Sequence, residues 1–112
     1  MAADDALAQR VREILRDQAP VEKSMFGGLA FMVNGHMTVG VGEDGLLVRV
    51  DPDADWLASD PRATEAMPGR PMRNWRSFDV DASTEDLSAL VDHALARVRA
   101  LPPKVSDPLL KD

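Results

Sequence analysis

The dipeptide Asn34-Gly35 lies between two apolar runs, Met25 to Val33 and Met37 to Val41. A two-residue type I′ turn needs positive φ at both central positions, and Asn-Gly meets that need better than almost any other pair. The middle of the chain is therefore bound to antiparallel pairing. From Ser24 the pattern has period two, with Met25, Gly27, Leu29, Phe31 and Val33 on one side and Phe26, Gly28, Ala30 and Met32 on the other. Both sides are largely apolar, which marks a strand inside a sheet. Gly27 and Gly28 would let that strand bend, bulge or be approached closely by another element. Met37, Val39 and Val41 then alternate with His36, Thr38 and Gly40, and "GEDG" turns the chain into a third strand, Leu46 to Val50. Together these form a three-strand meander.

Helical patterns flank it. Asp4 or Asp5 can cap a first helix whose apolar residues, Leu7, Val11, Ile14 and Leu15, fall at offsets 0, 4, 7 and 8, and Pro20 ends it. In "DPDADWLASDP", Asp51 is expected to cap a short helix with Pro52 at its first position, and Asp53 and Asp55 face the positive end of the dipole. After an irregular "RATEAMPGRP", the run "MRNWRSFDV" reads as a fourth strand. Ser83 and Asp86 form an S-x-x-D capping box ahead of Leu87, Leu90, Val91, Ala94, Leu95, Val98 and Leu101, the apolar stripe of a last helix ended by Pro102-Pro103. The expected fold is α+β: an antiparallel sheet, the three-strand meander plus at least one later strand, with the N- and C-terminal helices packed on it.

At 112 residues there is room for one domain, placed at residues 4–104, with a loose tail over 105–112. With no cysteine, neither disulfides nor a thiolate zinc site can hold the fold, which must rest on packing. The N-terminus carries acids where a signal peptide is basic, and no apolar run approaches the roughly 18 residues of a membrane span. The expectation is a soluble, cytoplasmic protein with no membrane partner. A net charge of −6 opposes phosphate backbones, so direct DNA binding is not expected.

Few motifs point to chemistry. "GVGEDG" matches G-x-G-x-x-G in letters only, since a strand rather than a helix follows and Glu43 and Asp44 would repel phosphate. Asp51, Asp53 and Asp55 have calcium-loop spacing, but Trp56 stands where the glycine belongs and Arg62 where the bidentate Glu belongs. His36 and His93 lie on different elements, and His93 is off the apolar stripe of its helix, where a solvated ring is expected. No nucleophile with an activating base can be read, so no catalytic, metal or cofactor-binding residue is assigned and no cofactor is called for. The methionines read as flexible core filling, with a Met-lined partner groove as the alternative. The largest charge asymmetry is the segment 62–76, where Arg62, Arg70, Arg73 and Arg76 face a single acid, Glu65, a local charge of +3. Those four arginines are the candidate partner- or anion-binding residues.

The order "MFGGLAFMVNGHMTVGV…DGLLVRVDP…MPGRPMRNW…LPPK" resembles the N-terminal domain of the TfoX/Sxy family, over about Met25 to Lys104. The resemblance implies a secretion-chaperone-like α+β fold, a sheet with helices mainly on one face. The family's named members are regulators of natural competence that act with the cyclic-AMP receptor protein and carry a second, helical C-terminal domain. Here the resemblance stops soon after "LPPK" and implies the N-terminal module alone. It brings no catalytic residues. The resulting expectation is a non-enzymatic protein-interaction or regulatory module with an unidentified protein partner, a homodimer staying open. The alternative is a small-molecule or anion-binding domain built on the Arg62–Arg76 segment.

Overall fold

The computed structural model describes residues 4–25, 27–43, 45–66, 69 and 72–102. Helix α1 spans Asp5–Leu15 and runs through a 3₁₀ turn at Arg16–Gln18 into strands β1 (Val21–Met25), β2 (Gly28–Val33), β3 (His36–Val41) and β4 (Leu46–Arg49). Helix α2 (Asp55–Ser59), β5 (Ala63–Glu65), β6 (Trp75–Phe78) and helix α3 (Leu87–Arg99) follow. All six strands form one antiparallel sheet in the order β1-β2-β3-β4-β6-β5. The α+β architecture is as expected, with a meander of four strands instead of three.

The extra strand, Val21–Met25, lies mostly ahead of the run expected over Ser24 to Val33 and takes the first two residues of that run. Gly27 takes φ +76°, a turn conformation closed to most side chains, so the chain reverses there and β1 pairs back on β2, with Met25 opposite Gly28. Gly28 is the close-approach residue: a Cβ built on it would collide with the carbonyl oxygen of Val41 on β3. Asn34 and Gly35 have φ of 55° and 80°, the type I′ turn predicted for them. A bulge at Thr38 shifts the β2–β3 register between Phe31 and Met32. The segment read as irregular after Arg62 contributes β5 to the far edge.

Two helix starts differ from expectation. Asp51 does not cap α2; its carboxylate accepts the Asp53 N–H at 3.0 Å and its carbonyl accepts the Ala54 N–H at 3.1 Å, a turn that delays the helix to Asp55. The Ser83–Asp86 box does not form either. Asp81 takes the Ser83 N–H and hydroxyl at 2.9 and 2.6 Å, and the Asp86 carboxylate turns instead to Arg62. Asp4 does cap α1, accepting the Leu7 N–H at 3.1 Å.

One face of the sheet carries the core. Register places Phe31, Val39, Val48, Val41, Leu46 and Phe78 on the same side, and onto them pack Leu7, Val11 and Leu15 of α1, Leu57 of α2, and Leu87, Val91, Ala94 and Val98 of α3. Phe31 and Phe78 are fully buried, each contributing about 2–3 kcal/mol of transfer free energy. All three helices bury their apolar residues in this one cluster. The opposite face has no helix among the described residues. No described helix is long and apolar enough to cross a membrane. The tail expected over 105–112 lies outside the described residues.

Candidate functional site

The three described arginines of segment 62–76, Arg62, Arg73 and Arg76, have different partners. Arg62 follows α2 and is clamped by two carboxylates: Nη2 donates to Asp60 at 2.7 Å, and Nη1 and Nη2 donate to Asp86 at 2.7 and 2.9 Å. Its guanidinium lies 6.0 Å from the Phe78 ring. Hydrogen bonds donated to Asp60 and then to Asp86 raise its pKa, and in return Arg62 holds both carboxyls below the usual carboxylate range. Arg76 aims Nη1 at the carbonyls of Trp75, Arg73 and Met72, at 2.8, 3.1 and 3.1 Å, and so fastens the turn before β6. Arg73 is exposed, 3.9 Å from Asp53. Arg70 lies outside the described residues. Arg62 and Arg76 also line separate hollows, one with Trp56 and His93, the other with Leu57 and Thr64.

His93 is not the solvated ring expected of its position. It is half-buried, its edge meets the Trp56 ring at 5.0 Å, and its Nε2 accepts the Asp51 N–H at 3.1 Å. Burial lowers its pKa, and only a neutral ring can accept that hydrogen bond. His36 is remote in role: Nε2 bonds the Pro102 carbonyl at 2.7 Å and ties the end of α3 to the start of β3. Among the described residues no three His, Cys, Asp or Glu side chains cluster as a metal site would require.

The larger feature is the open face of the sheet. One rung of paired residues runs across its whole width: Lys23, Ala30, Gly40, Leu47, Ser77 and Thr64. Small side chains make Ala30, Gly40 and Ser77 a floor, and Met25, Met37 and Leu47 rise around it to line a concavity of about 250 Å³. Ala30 is 1% exposed yet stands apart from the core cluster. Val21 and Met25, on the edge strand β1, are 56% and 36% exposed. Among the described residues no methionine belongs to the buried core, against the core-filling expectation; Met25, Met32 and Met37 share the open face.

At one end of the groove stands Arg49. Its Nε donates to the Met37 carbonyl at 2.8 Å, and its guanidinium lies 4.6 Å from the Trp75 ring centroid, a cation–π stack. Burial, and then the like charge of Arg97 on α3, lower its pKa. Arg97 has a buried Nε without a hydrogen-bond partner. Charge density in the sequence does not mark Arg49, a lone arginine in "LLVR". The signal was alternation: Leu46 and Val48 go to the core, which sends Leu47 and Arg49 to the other face.

The arrangement offers a preformed apolar surface with one fixed cation, Arg49, beside it. No curated protein and no solved structure matches the chain. The profile of the TfoX N-terminal domain does match, over residues 13–98, which takes in the last turn of α1, the whole sheet and nearly all of α3. With most of its length covered by that match, the chain belongs to the TfoX N-terminal domain family.

Proposed function

We propose that this chain is a non-enzymatic, regulatory protein-interaction module that docks its partner on the open face of the sheet. The observation that carries this reading is the division of the sheet, with every described helix on one face and a groove of small residues and methionines on the other. An uncovered apolar patch rimmed by polar groups is the usual mark of a binding surface. Methionines suit it, since their unbranched side chains repack around different partners.

Arg62 and Arg76 direct their donors to groups within the chain, which favours the sheet face over the arginine segment as the docking surface. The two histidines are each engaged in a structural hydrogen bond, which supports a binding role over acid–base catalysis. The test compares proteins captured from native lysate by the unaltered chain and by Leu47→Glu, which sets a charge beside the groove floor. Partners lost with Leu47→Glu, at unchanged thermal stability, support the reading; an identical set of captured proteins refutes it.

A further inference from the structure

Register places thirteen described strand residues on the open face, and only two of them are charged: Lys23 and Arg49. Both are cations, in a chain where 19 acids outnumber 13 Lys and Arg. Acid side chains are thus kept off this face while they crowd the rest of the sequence. Neither cation has an ion-pair partner among the described residues, whereas Arg12 and Arg62 each hold carboxylates. Arg49 is also held in place. With Nε on the Met37 carbonyl and its plane on Trp75, it is kept in one geometry while its Nη groups make no hydrogen bond to a described residue. Such an arginine is pre-organised for a carboxylate, and the ordering cost of binding is largely met in advance.

The sheet geometry also sets a spacing. Lys23, Ala30, Gly40 and Leu47 lie on one rung, so three strand spacings, about 14 Å, separate Lys23 from β4. Arg49 is two residues beyond Leu47, about 7 Å along the strand, which puts the two backbone positions roughly 16 Å apart across the groove. That is the span of about five residues of extended chain, or about eleven of helix.

Resting on the docking-face reading above, we propose that the partner is a peptide segment with an apolar centre that fills the groove and acidic side chains at both ends. One acid is received by Arg49 and the other by Lys23. Charge complementarity of this kind fixes register and selects among apolar partners that the methionines alone would accept.

The test pans a display library of random twelve-residue peptides on the full chain, then measures labelled copies of the enriched peptides by fluorescence anisotropy. Enriched peptides should carry Asp or Glu on both sides of an apolar centre. Arg49→Gln and Lys23→Gln should each weaken them about tenfold, and exchanging the peptide acids for amides should remove the sensitivity to those substitutions. Urea melts check each variant. Lys23 sits on the exposed edge strand, so Lys23→Gln keeps the test decisive if Arg49→Gln folds poorly.

Apolar peptides without acids, blocked by Leu47→Glu but indifferent to both cation variants, would overturn this inference and leave the docking face intact. Peptides indifferent to Leu47→Glu as well would overturn both. A dimer in sedimentation that Leu47→Glu dissociates would assign the face to a second copy and refute the peptide proposal. Binding of labelled duplex DNA that is lost with Arg49→Gln would assign the cations to phosphates, with the same result. So would peptides that bind only once Leu109 and Leu110 are replaced by Ser, which would give the groove to the chain's own residues 103–112.

Discussion

The two faces of the sheet share one backbone and differ in side-chain shape. The covered face is built from Phe, Leu and Val, stiff side chains that interlock with three helices, and the open face from Gly, Ala, Ser and Met around two cations. Branched and aromatic residues specify one packing; small and unbranched ones tolerate several. Stability should therefore reside on the first face and recognition on the second. That division can be broken by experiment, and the covered face should give the largest effects. Phe31→Ala removes a fully buried ring between the sheet and the helices and is expected to cost about 3–5 kcal/mol in urea melts, a large share of the stability of a small domain. A loss below 1 kcal/mol would show that the core lies elsewhere.

Gly28 tests the division where it ought to fail. Its register is on the open face, opposite Met25, yet an added Cβ meets the Val41 carbonyl, a backbone atom that cannot swing aside. Gly28→Val is expected to destabilise by about 1–3 kcal/mol despite the higher strand propensity of valine. Equal or greater stability would make the glycine incidental and the groove floor softer than its geometry indicates.

The sequence made the covered face legible and the open one hard to read, for a physical reason. Helix stripes and strand alternation record which residues are buried, so α1, α3, the Asn34-Gly35 hairpin and the meander could be read directly. The reversal at Gly27 could not, because an apolar run of period two gives no sign of whether the chain continues or folds back. Capping failed at Ser83 and Asp51 for a related reason. Local hydrogen bonding offers each carboxylate several partners, and tertiary contacts choose: Asp86 goes to Arg62, 24 residues away in the chain. The arginine segment drew attention through its charge density, but density in sequence says nothing about whether a guanidinium is already satisfied. Arg49 was missed on the same account, one charge with no neighbours, placed by pairing.

The Asp60–Arg62–Asp86 cluster seals the rim of the covered face and should give a moderate, pH-dependent effect. Both carboxyls titrate below the ordinary carboxylate value in the folded state, so their contribution is complete above that value and is lost as pH falls through the depressed ones. Arg62→Leu should cost about 1–2 kcal/mol at pH 7, with Asp86 contributing little because half of its side chain is in solvent. Below pH 4 the deficit should narrow. His93 adds a separate, higher window: its folded pKa is lowered, so stability is complete above the ordinary histidine value and declines as pH drops below it. Melts from pH 7.5 to pH 2.5 resolve the two steps, and His93→Gln should remove only the upper one. A single acid transition unaffected by either variant would contradict both assignments.

The smallest expected effect is the most diagnostic. Met25→Gln replaces an apolar, 36% exposed side chain on the groove wall with a polar one of similar length. Met25 stands outside the core cluster and keeps more than a third of its surface in water, so stability should change by no more than about 1 kcal/mol. Binding should respond quite differently, because a partner in the groove would desolvate the new amide without offering it a hydrogen bond. The expected pair of results is a near-identical urea midpoint and an affinity for groove-directed peptides weakened about fivefold or more. If the melt shifts by several kcal/mol, Met25 is packed as core and the open face is closed by something that stabilises the fold. If neither quantity moves, the groove wall is not in contact with the partner, and recognition must be sought on another surface. Only a change in binding at constant stability fits a sheet whose one face holds the molecule together while the other waits for a second molecule.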